Sequence, residues 1–403
     1  MIEVRPLRHC DGAVSVPGSK SYTHRALIVS SLADGESVLF NALRCEDTGR
    51  TAGALAKFGV EVSWESDHVR VLGRGGVFKA TDEKIDVGNS GTSMRFLTAL
   101  AALRTGITFL DGSERMRKRP IGELLNGLGE LGVRAYSQEG DDCPPVIVQS
   151  RGLQGGTAKV KGEESSQFLS GLLIVAPYAQ KDVNIEVAGS LASKPYVDIT
   201  REVMSSFGVE IRSQGYHSFF IKAGQQYLPQ KYRIEGDASN ASYFFTAAAV
   251  CRERVRVKNL NPATIQGDIG FLQILERMGC RVTRGGDWIE VVGGELHSVE
   301  IDMNEMPDLV PTLAVTAAFA QGKTVIQNIG HLRLKESDRI HAVAAELSKM
   351  GLQVREGEDS LEILGGKPRG AEIETYHDHR MAMKIGRASF PALSRAEAGV
   401  LLS

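Results

Sequence analysis

A regular repeat limits the possible folds of this chain more than any other feature. Five times, a run with helical spacing of apolar residues ends in glycine and is followed by a short strand-like run. The glycines Gly59, Gly132, Gly208, Gly279 and Gly351 are 73, 76, 71 and 72 residues apart. Each stands where a helix end favours a left-handed residue. The sequence therefore predicts one supersecondary unit repeated along the chain.

Each period also contains a strand and an earlier helix. Apolar, β-branched runs that predict strands begin at residues 37, 107, 183, 255 and 325. The predicted helix before each run starts with small or polar residues, at 19–21, 89–92, 165–167, 237–240 and 306–308, and a sixth start lies at 377–380. Six units predict two domains of three. We expect the sixth unit to be incomplete, because one further period after Gly351 runs beyond Ser403.

Charge and cysteine usage exclude several classes of protein. The formal net charge is −2, which argues against coating nucleic acid or an anionic membrane. The five cysteines are scattered without a C-x-x-C pair, so we expect no metal site and a reducing cytosol. No apolar signal segment opens the chain, and the apolar runs are shorter than the ~20 residues of a membrane span. We expect a cytoplasmic protein without membrane or nucleic-acid partners.

The predicted helix starts carry the candidate chemistry. A helix N-terminus offers free N–H groups and a partial positive charge, which suit an anion as well as an ordinary capping side chain. Cations accompany several of these starts: Lys20, Arg25, Arg95, Lys335, Arg339, Arg380 and four of the five residues 115–119. Because guanidinium forks match carboxylates and phosphates, the pattern favours a substrate with two or three anionic groups.

Two carboxylates stand out among these cations. Asp308 is predicted to open an apolar helix, and Glu336 lies between Lys335 and Arg339. A carboxylate at a helix N-terminus usually caps the helix, and a carboxylate among cations usually forms ion pairs. If both face an anion site, they are the available general acid and base.

Several of these segments resemble the 5-enolpyruvylshikimate-3-phosphate synthase family. They include Pro-Gly-Ser-Lys-Ser at 17–21, Asn-Ser-Gly-Thr at 89–92, Arg-Met-Arg-Lys-Arg at 115–119, Ser-Ser-Gln at 165–167, Leu-Lys-Glu-Ser-Asp-Arg at 334–339 and Asp-His-Arg-Met-Ala-Met at 378–383. The resemblance implies a two-domain inside-out α/β barrel, with three βαβαββ units around a pseudo-threefold axis in each domain. One domain covers residues 19–235 and is mainly the shikimate 3-phosphate side. The other combines residues 1–18 with 236–403, and helix N-termini of both would face a cleft.

The resemblance also implies a reaction, in which the enolpyruvyl group of phosphoenolpyruvate is transferred to the 5-hydroxyl of shikimate 3-phosphate and phosphate is released. Asp308 would take the hydroxyl proton, and Glu336 or Lys20 would protonate the methylene carbon. The residues implied to hold shikimate 3-phosphate are Lys20, Ser21, Arg25, Ser165, Ser166, Gln167, Ser193, Asp308 and Lys335. Those implied to hold phosphoenolpyruvate are Lys20, Gly91, Arg119, Gln167, Arg339 and Arg380. No metal or organic cofactor is implied, and we expect a monomer.

The tail 384–403 departs from this resemblance, and the family lysine expected there has no counterpart. His331 is a milder departure, because many family members carry Asn there. The tail favours one alternative, an inactive or binding-only relative. A second alternative is the sister UDP-N-acetylglucosamine enolpyruvyl transferase, which uses a cysteine in the loop equivalent to 111–121; this chain has none there.

Overall fold

The computed structural model describes residues 2–4, 10–79, 83–385 and 400–402. Its internal contacts divide the chain into two compact units. The central unit is Gly18–Glu235, and the split unit combines Met1–Pro17 with Gly236–Ser403. Each unit has its own hydrophobic core.

The described residues form eleven α-helices: α1 (Lys20–Leu32), α2 (Glu46–Lys57), α3 (Gly91–Ala101), α4 (Gly122–Glu130), α5 (Ser166–Val175), α6 (Lys194–Ser206), α7 (Ala238–Cys251), α8 (Phe271–Arg277), α9 (Val310–Ala317), α10 (Arg339–Lys349) and α11 (His379–Ile385).

The strands of the central unit are β3 (Asp34–Phe40), β4 (Glu61–Trp64), β5 (His68–Arg74), β6 (Ile85–Asp86), β7 (Gly106–Asp111), β8 (Arg134–Ser137), β9 (Val146–Ser150), β10 (Gly156–Lys161), β11 (Val183–Ala188), β12 (Arg212–Gln214), β13 (Ser218–Ile221) and β14 (Lys231–Arg233). Those of the split unit are β1 (Ile2–Val4), β2 (Gly12–Ser15), β15 (Arg254–Lys258), β16 (Arg281–Arg284), β17 (Trp288–Val292), β18 (Glu300–Asp302), β19 (Lys323–Gln327), β20 (Gln353–Glu356), β21 (Leu361–Leu364), β22 (Glu372–Ile373) and β23 (Val400–Leu402).

The predicted repeat is present in the described residues. The five predicted glycine-terminated helices are α2, α4, α6, α8 and α10, and the five glycines have φ between 83° and 108°. This left-handed backbone is unfavourable for other residues, so the glycine spacing had located the helix ends correctly. The predicted strands are also confirmed, as β3, β7, β11, β15 and β19.

Three sheets form in each unit. Those of the central unit have the orders β14-β3-β5-β4, β6-β7-β9-β8 and β10-β11-β13-β12. Those of the split unit are β16-β17-β15-β2, β18-β19-β21-β20 and the three-stranded β1-β23-β22. Helices α1, α3 and α5 are buried on nearly every face and belong to the central core. An all-round buried helix is typical of a core, whereas α2 and α6 have one apolar and one polar face.

The chain crosses between the units twice, and both crossings have the same local construction. A Cβ on Gly18 would lie 1.7 Å from the carbonyl oxygen of Asn41, and one on Gly236 would lie 1.6 Å from that of Asn259. Both asparagines are left-handed and bond the opposite crossing segment of their own unit: Asn41 Nδ2 donates to the carbonyl of Ile234 at 2.9 Å, and Asn259 Nδ2 to that of Val16 at 2.8 Å. Only glycine fits so close to a carbonyl oxygen.

The expected incomplete sixth unit concerns mostly residues 386–399, which lie outside the described residues. Of the tail, the structure describes the end of α11 and strand β23. Strand β23 pairs antiparallel with β1 and parallel with β22. Among the described residues, no helix combines the length and apolar character needed to cross a membrane.

Candidate active site

The first turn of α1 places Lys20 beside an acid of α2. The Lys20 ammonium donates to the Asp47 carboxylate at 2.9 Å. The two side chains keep 20% and 27% of their surface exposed, so a ligand can reach both. The sequence analysis did not select Asp47, because 27 residues separate it from Lys20.

Arg25 is held one turn further along α1 by uncharged groups. Its guanidinium donates to the Thr200 hydroxyl at 2.7 Å and to the carbonyls of Ser21 and Tyr196 at 3.0 and 2.9 Å. Burial lowers the pKa of Arg25 to about 10, since no carboxylate is among these partners to offset the lost hydration. An anionic ligand near Arg25 would supply the missing counter-charge.

Gly91 begins α3 and leaves room for Arg119. A Cβ on Gly91 would lie 2.4 Å from Arg119 Nη2, so glycine allows the guanidinium to lie against the start of the helix. Arg119 Nη1 donates to the carbonyl of Asn89 at 3.0 Å. The helix start and the cation together form an electropositive position.

The start of α5 is joined to that of α3. Ser165 caps α5 by accepting from the Gln167 amide at 3.2 Å, and Gln167 Nε2 donates to Thr92 Oγ1 at 3.1 Å. Ser166 is buried in the first turn of α5. Ser193 lies before α6 in the left-handed region, with φ 56°. Such backbone is uncommon for serine and is concentrated at functional sites.

The basic run 115–119 does not act as one patch. Arg117 instead pairs with the buried Asp111, at 2.9 Å to Oδ1 and 2.6 Å to Oδ2. Burial raises the pKa of Asp111, but the hydrogen bonds from Arg117 and Lys84 outweigh it and bring the pKa to about 2. Of this run, Arg119 lies at the start of α3, and Arg117 is committed to a structural ion pair.

In the split unit, Arg339 donates to three carboxylates. Its Nη1 lies 2.9 Å from Asp308, its Nη2 2.7 Å from Glu336 and its Nε 2.8 Å from Asp378. Burial alone would lower the pKa of Arg339, but these acids raise it above its usual value. The guanidinium is therefore fixed as a cation in the core.

Asp308 also binds Arg380, whose Nη2 donates to its second oxygen at 2.7 Å. One carboxylate thus bridges two arginines. The side chains of Asp308 and Glu336 are 19% and 16% exposed, whereas that of Arg339 is 1% exposed. The two acids that were proposed for proton transfer are thus the accessible members of the cluster.

Asp308 lies slightly outside its predicted position. It occupies a short 3-10 turn, Pro307–Leu309, and α9 begins only at Val310. Pro307 lacks an amide hydrogen, and Pro311 fits only the first turn of an α-helix, so the regular helix starts later than expected. The Asp308 side chain therefore binds arginines and does not cap α9.

Asp378 is a site residue that the sequence analysis missed. It is fully buried and accepts from Arg339, from the Ser337 hydroxyl at 3.0 Å and from the Arg380 amide at 2.8 Å. Burial raises its pKa, but the charge of Arg339 outweighs burial and holds the pKa below its usual range. Its place in the motif at 378–383 was a usable signal, because it immediately precedes the arginine-bearing helix α11.

His331 lies close enough to Lys335 and Asp308 for both charges to act on its imidazole. Burial and the charge of Lys335 together lower the pKa of His331 to about 4, and Asp308 opposes the shift. His331 is therefore neutral near pH 7.

The predicted site residues fall into two groups, one in each unit. The central unit contains Lys20, Ser21, Arg25, Gly91, Arg119, Ser165, Ser166, Gln167 and Ser193. The split unit brings together Asp308, Glu336, Arg339 and Arg380, with Lys335 next to Glu336. Among the described residues, no group of three His, Cys, Asp or Glu side chains could hold a metal ion.

Comparison with known proteins decides the family. The family model for EPSP synthase (3-phosphoshikimate 1-carboxyvinyltransferase) matches residues 4–389. The chain belongs to the EPSP synthase family. This match runs past Met383, so the family resemblance extends further into the tail than the sequence analysis expected.

Curated relatives named 3-phosphoshikimate 1-carboxyvinyltransferase support this assignment. The protein from Sulfurovum sp. (strain NBC37-1) is 44% identical over 387 residues, and that from Nostoc punctiforme is 47% identical over 386. Each alignment covers 95% of this chain and 91% of the relative. That coverage disfavours the alternative of an inactive, shortened relative, and these names favour EPSP synthase over its UDP-N-acetylglucosamine sister.

A solved EPSP synthase from Acinetobacter baumannii shares the fold. Its TM-score is 0.79 at 26% identity, over 97% of this chain and 91% of that one. The predicted two-domain α/β architecture of EPSP synthases is thereby confirmed.

Proposed function

We propose that this chain transfers the enolpyruvyl group of phosphoenolpyruvate to the 5-hydroxyl of shikimate 3-phosphate and releases phosphate. Membership of the EPSP synthase family supports the reaction. The structural observation that carries the proposal is the carboxylate of Asp308, which Arg339 and Arg380 bind together at 2.9 and 2.7 Å. Two guanidinium groups on one carboxylate form the arrangement needed to bind the carboxylate of phosphoenolpyruvate.

Exchange of carboxylates links binding to catalysis. When phosphoenolpyruvate occupies the two arginines, it takes over the hydrogen bonds that Asp308 holds in the free protein. Asp308 then becomes available as the base for the 5-hydroxyl. Glu336 and Lys20 are the candidates for protonating the methylene carbon, and Glu336 accepts a hydrogen bond from Arg339 in the free protein.

Protonation of the methylene makes the adjacent carbon electrophilic, and the hydroxyl oxygen attacks it to form a tetrahedral ketal. The ketal then loses phosphate, and loss of a methyl proton restores the double bond. Arg119, Arg339 and Arg380 supply positive charge for the phosphoenolpyruvate carboxylate and phosphate, and so stabilise the departing anion.

The central unit supplies most of the proposed groups for shikimate 3-phosphate. Arg25 is buried without a carboxylate partner among its hydrogen bonds, so an anionic group of shikimate 3-phosphate can neutralise it. The starts of α1 and α5 add Lys20, Ser21, Ser165, Ser166 and Gln167, and Ser193 precedes α6. Lys335 adds a further cation from the split unit.

The test is phosphate release by the purified chain with both substrates present. We expect release only when shikimate 3-phosphate and phosphoenolpyruvate are combined, and an equal amount of enolpyruvyl product by NMR. UDP-N-acetylglucosamine replaces shikimate 3-phosphate in the matched control and should give no release. Binding of both substrates without turnover would contradict the proposal and favour the binding-only alternative.

A further inference from the structure

A buried chain of polar side chains joins α1 to the N-terminal halves of α2 and α3. His24 lies on α1, one turn after Lys20, and its Nδ1 is 2.9 Å from Thr51 Oγ1 on α2. Thr51 Oγ1 is 2.8 Å from Ser93 Oγ on α3. All three side chains are buried. The three contacting groups therefore connect three helices inside the central unit.

This series of hydrogen bonds returns to α1 through Asp47. Ser93 Oγ donates to the backbone carbonyl of Asp47 at 3.3 Å, and the Asp47 carboxylate accepts from Lys20 at 2.9 Å. The circuit is closed, because His24 and Lys20 share one helix. A shift of α2 or α3 that is transmitted through these hydrogen bonds would therefore move Asp47 relative to the Lys20 ammonium.

His24 remains neutral in this position. Burial lowers its pKa to about 3, helped by the charges of Lys20 and Arg25 and opposed by Asp47. Its other nitrogen, Nε2, is buried and has no hydrogen-bond partner among the described residues. A buried polar atom without a partner is costly, and an apolar side chain would avoid that cost. The hydrogen bond at Nδ1 thus gives a reason to have histidine here.

We propose that His24 and Thr51 are positioning residues that fix the Lys20 ammonium against Asp47. The inference rests on the proposed role of Lys20 in binding both substrates. A lysine side chain has four rotatable bonds, so an anchored carboxylate limits where its ammonium can lie. Small misplacements of a catalytic group cost up to ~10²-fold in rate, which gives such an anchor a measurable effect.

Thr51→Val, with Thr98→Val as its matched control, tests this series of hydrogen bonds. The substitution removes one hydroxyl at nearly constant volume. Thr98→Val makes the same change at a buried position of α3. There the hydroxyl contacts Met94 Sδ at 3.9 Å and takes no part in the series of hydrogen bonds. We expect Thr51→Val to lower kcat/KM about tenfold, a tenth of the largest misplacement effect, while Thr98→Val leaves it unchanged. Equal values for both variants, matched in melting temperature, would overturn the inference.

Two substitutions at His24 separate hydrogen bonding from packing. His24→Asn retains an amide near the position of Nδ1, and His24→Leu fills the site without a polar atom. We expect Asn to restore most of the activity that Leu loses. Equal loss in both, at equal thermal stability, would assign His24 a packing role and contradict the inference.

A double-mutant cycle with Lys20→Ala gives the readout that a purely structural role would not change. If Thr51 acts through Lys20, Thr51→Val should have no further effect once Lys20 is alanine. If turnover of Lys20→Ala is too low to measure, the same cycle is read from the dissociation constant for shikimate 3-phosphate. An unchanged Thr51→Val effect in the alanine background would overturn the inference.

The same cycle distinguishes the two proposals. Lys20→Ala with full turnover would overturn the proposed role of Lys20 and this inference with it. A large loss in Lys20→Ala combined with wild-type behaviour of Thr51→Val would overturn the inference alone.

Discussion

Arg25 of the central unit and Arg339 of the split unit are both buried, but they are held in opposite ways. In the central unit, Arg25 donates to a hydroxyl and two carbonyls, and burial lowers its pKa to about 10. In the split unit, Arg339 donates to three carboxylates, which raise its pKa above its usual value. The first arrangement lacks a counter-charge among these partners, so an added anion would supply one. The second already has three carboxylates, so an added anion would have to displace one of them.

This difference teaches what each unit contributes to the proposed reaction. A cation with neutral partners favours binding, because the incoming anion relieves the cost of burying the charge. A cation paired with accessible acids favours proton transfer, because an incoming carboxylate releases a base at the position where it is needed. Substitutions that remove the acid or the cation from either arrangement test this contrast.

Replacing the bridging acid should have the largest effect. Asp308→Asn keeps the shape of the side chain but removes the base, so turnover should fall by ~10²–10⁴. Steady-state phosphate release measures turnover, and calorimetry should show that shikimate 3-phosphate still binds. Asp302→Asn, on β18 of the same unit, is the control. Near-normal turnover of Asp308→Asn would mean that Asp308 is only an ion-pair partner. The proposed role of the split unit in proton transfer would then be wrong.

Arginine substitutions should separate the two substrates. Each loss of a charge-assisted hydrogen bond costs about 1.5–3 kcal/mol, which corresponds to roughly 10- to 150-fold in a binding constant. Arg25→Ala should weaken shikimate 3-phosphate, and Arg119→Ala and Arg380→Ala should weaken phosphoenolpyruvate. Apparent constants for each substrate, measured at saturation of the other, give the comparison.

Arg117→Ala is the matched control for the arginine series. Its guanidinium pairs with Asp111 at 2.6 Å, so it should change neither substrate constant. If Arg25→Ala or Arg380→Ala shifts both substrate constants equally, the assignment of these arginines to different substrates is wrong.

The buried neutral histidines should make stability depend on pH in both units. The pKa is about 3 for His24 and about 4 for His331, against 6.5 for an ordinary histidine. The unfolded chain therefore takes up a proton below pH 6.5 that the native chain does not. Each histidine should lower the free energy of unfolding by about 2 kcal/mol between pH 8 and pH 5.

Urea unfolding at several pH values measures this dependence. His24→Asn and His331→Asn should each flatten the slope between pH 6.5 and 5, and the double variant should show the sum. His217→Asn, at an exposed position, is the control. An unchanged slope in either variant would show that its imidazole is not held neutral in the native protein.

The sequence predicted those parts of the molecule that depend on local geometry. Glycine at a left-handed helix end leaves a visible spacing, and Gly59 to Gly351 located five helices correctly. Three of the predicted helix starts were equally visible: Ser90, Ser165 and Asp237 cap α3, α5 and α7 with their side chains.

Contacts between distant segments left no such pattern. Arg339 meets Asp378 across 39 residues, and Lys20 meets Asp47 across 27, so spacing could select neither acid. Only Asp378 had another signal, its place in the motif at 378–383. In the sequence, the four basic residues of the run 115–119 could not be told apart. In the structure, Arg117 forms an ion pair with Asp111. The sequence shows the sign of each side-chain charge, but tertiary packing determines which partner neutralises it.

The paired crossings have a consequence for how the chain folds during synthesis. The central unit is continuous, and the amide of Ser19 bonds the carbonyl of Glu235 at 2.8 Å, so its two ends meet. The split unit must instead join Asn259 to Val16 across 243 residues. Domains generally fold as units in the order of their synthesis, and closing a long loop costs entropy. If the central unit folds first, it brings the two ends of that loop together. The entropy cost of joining Val16 to Asn259 would then already be met before the last strands of the split unit leave the ribosome.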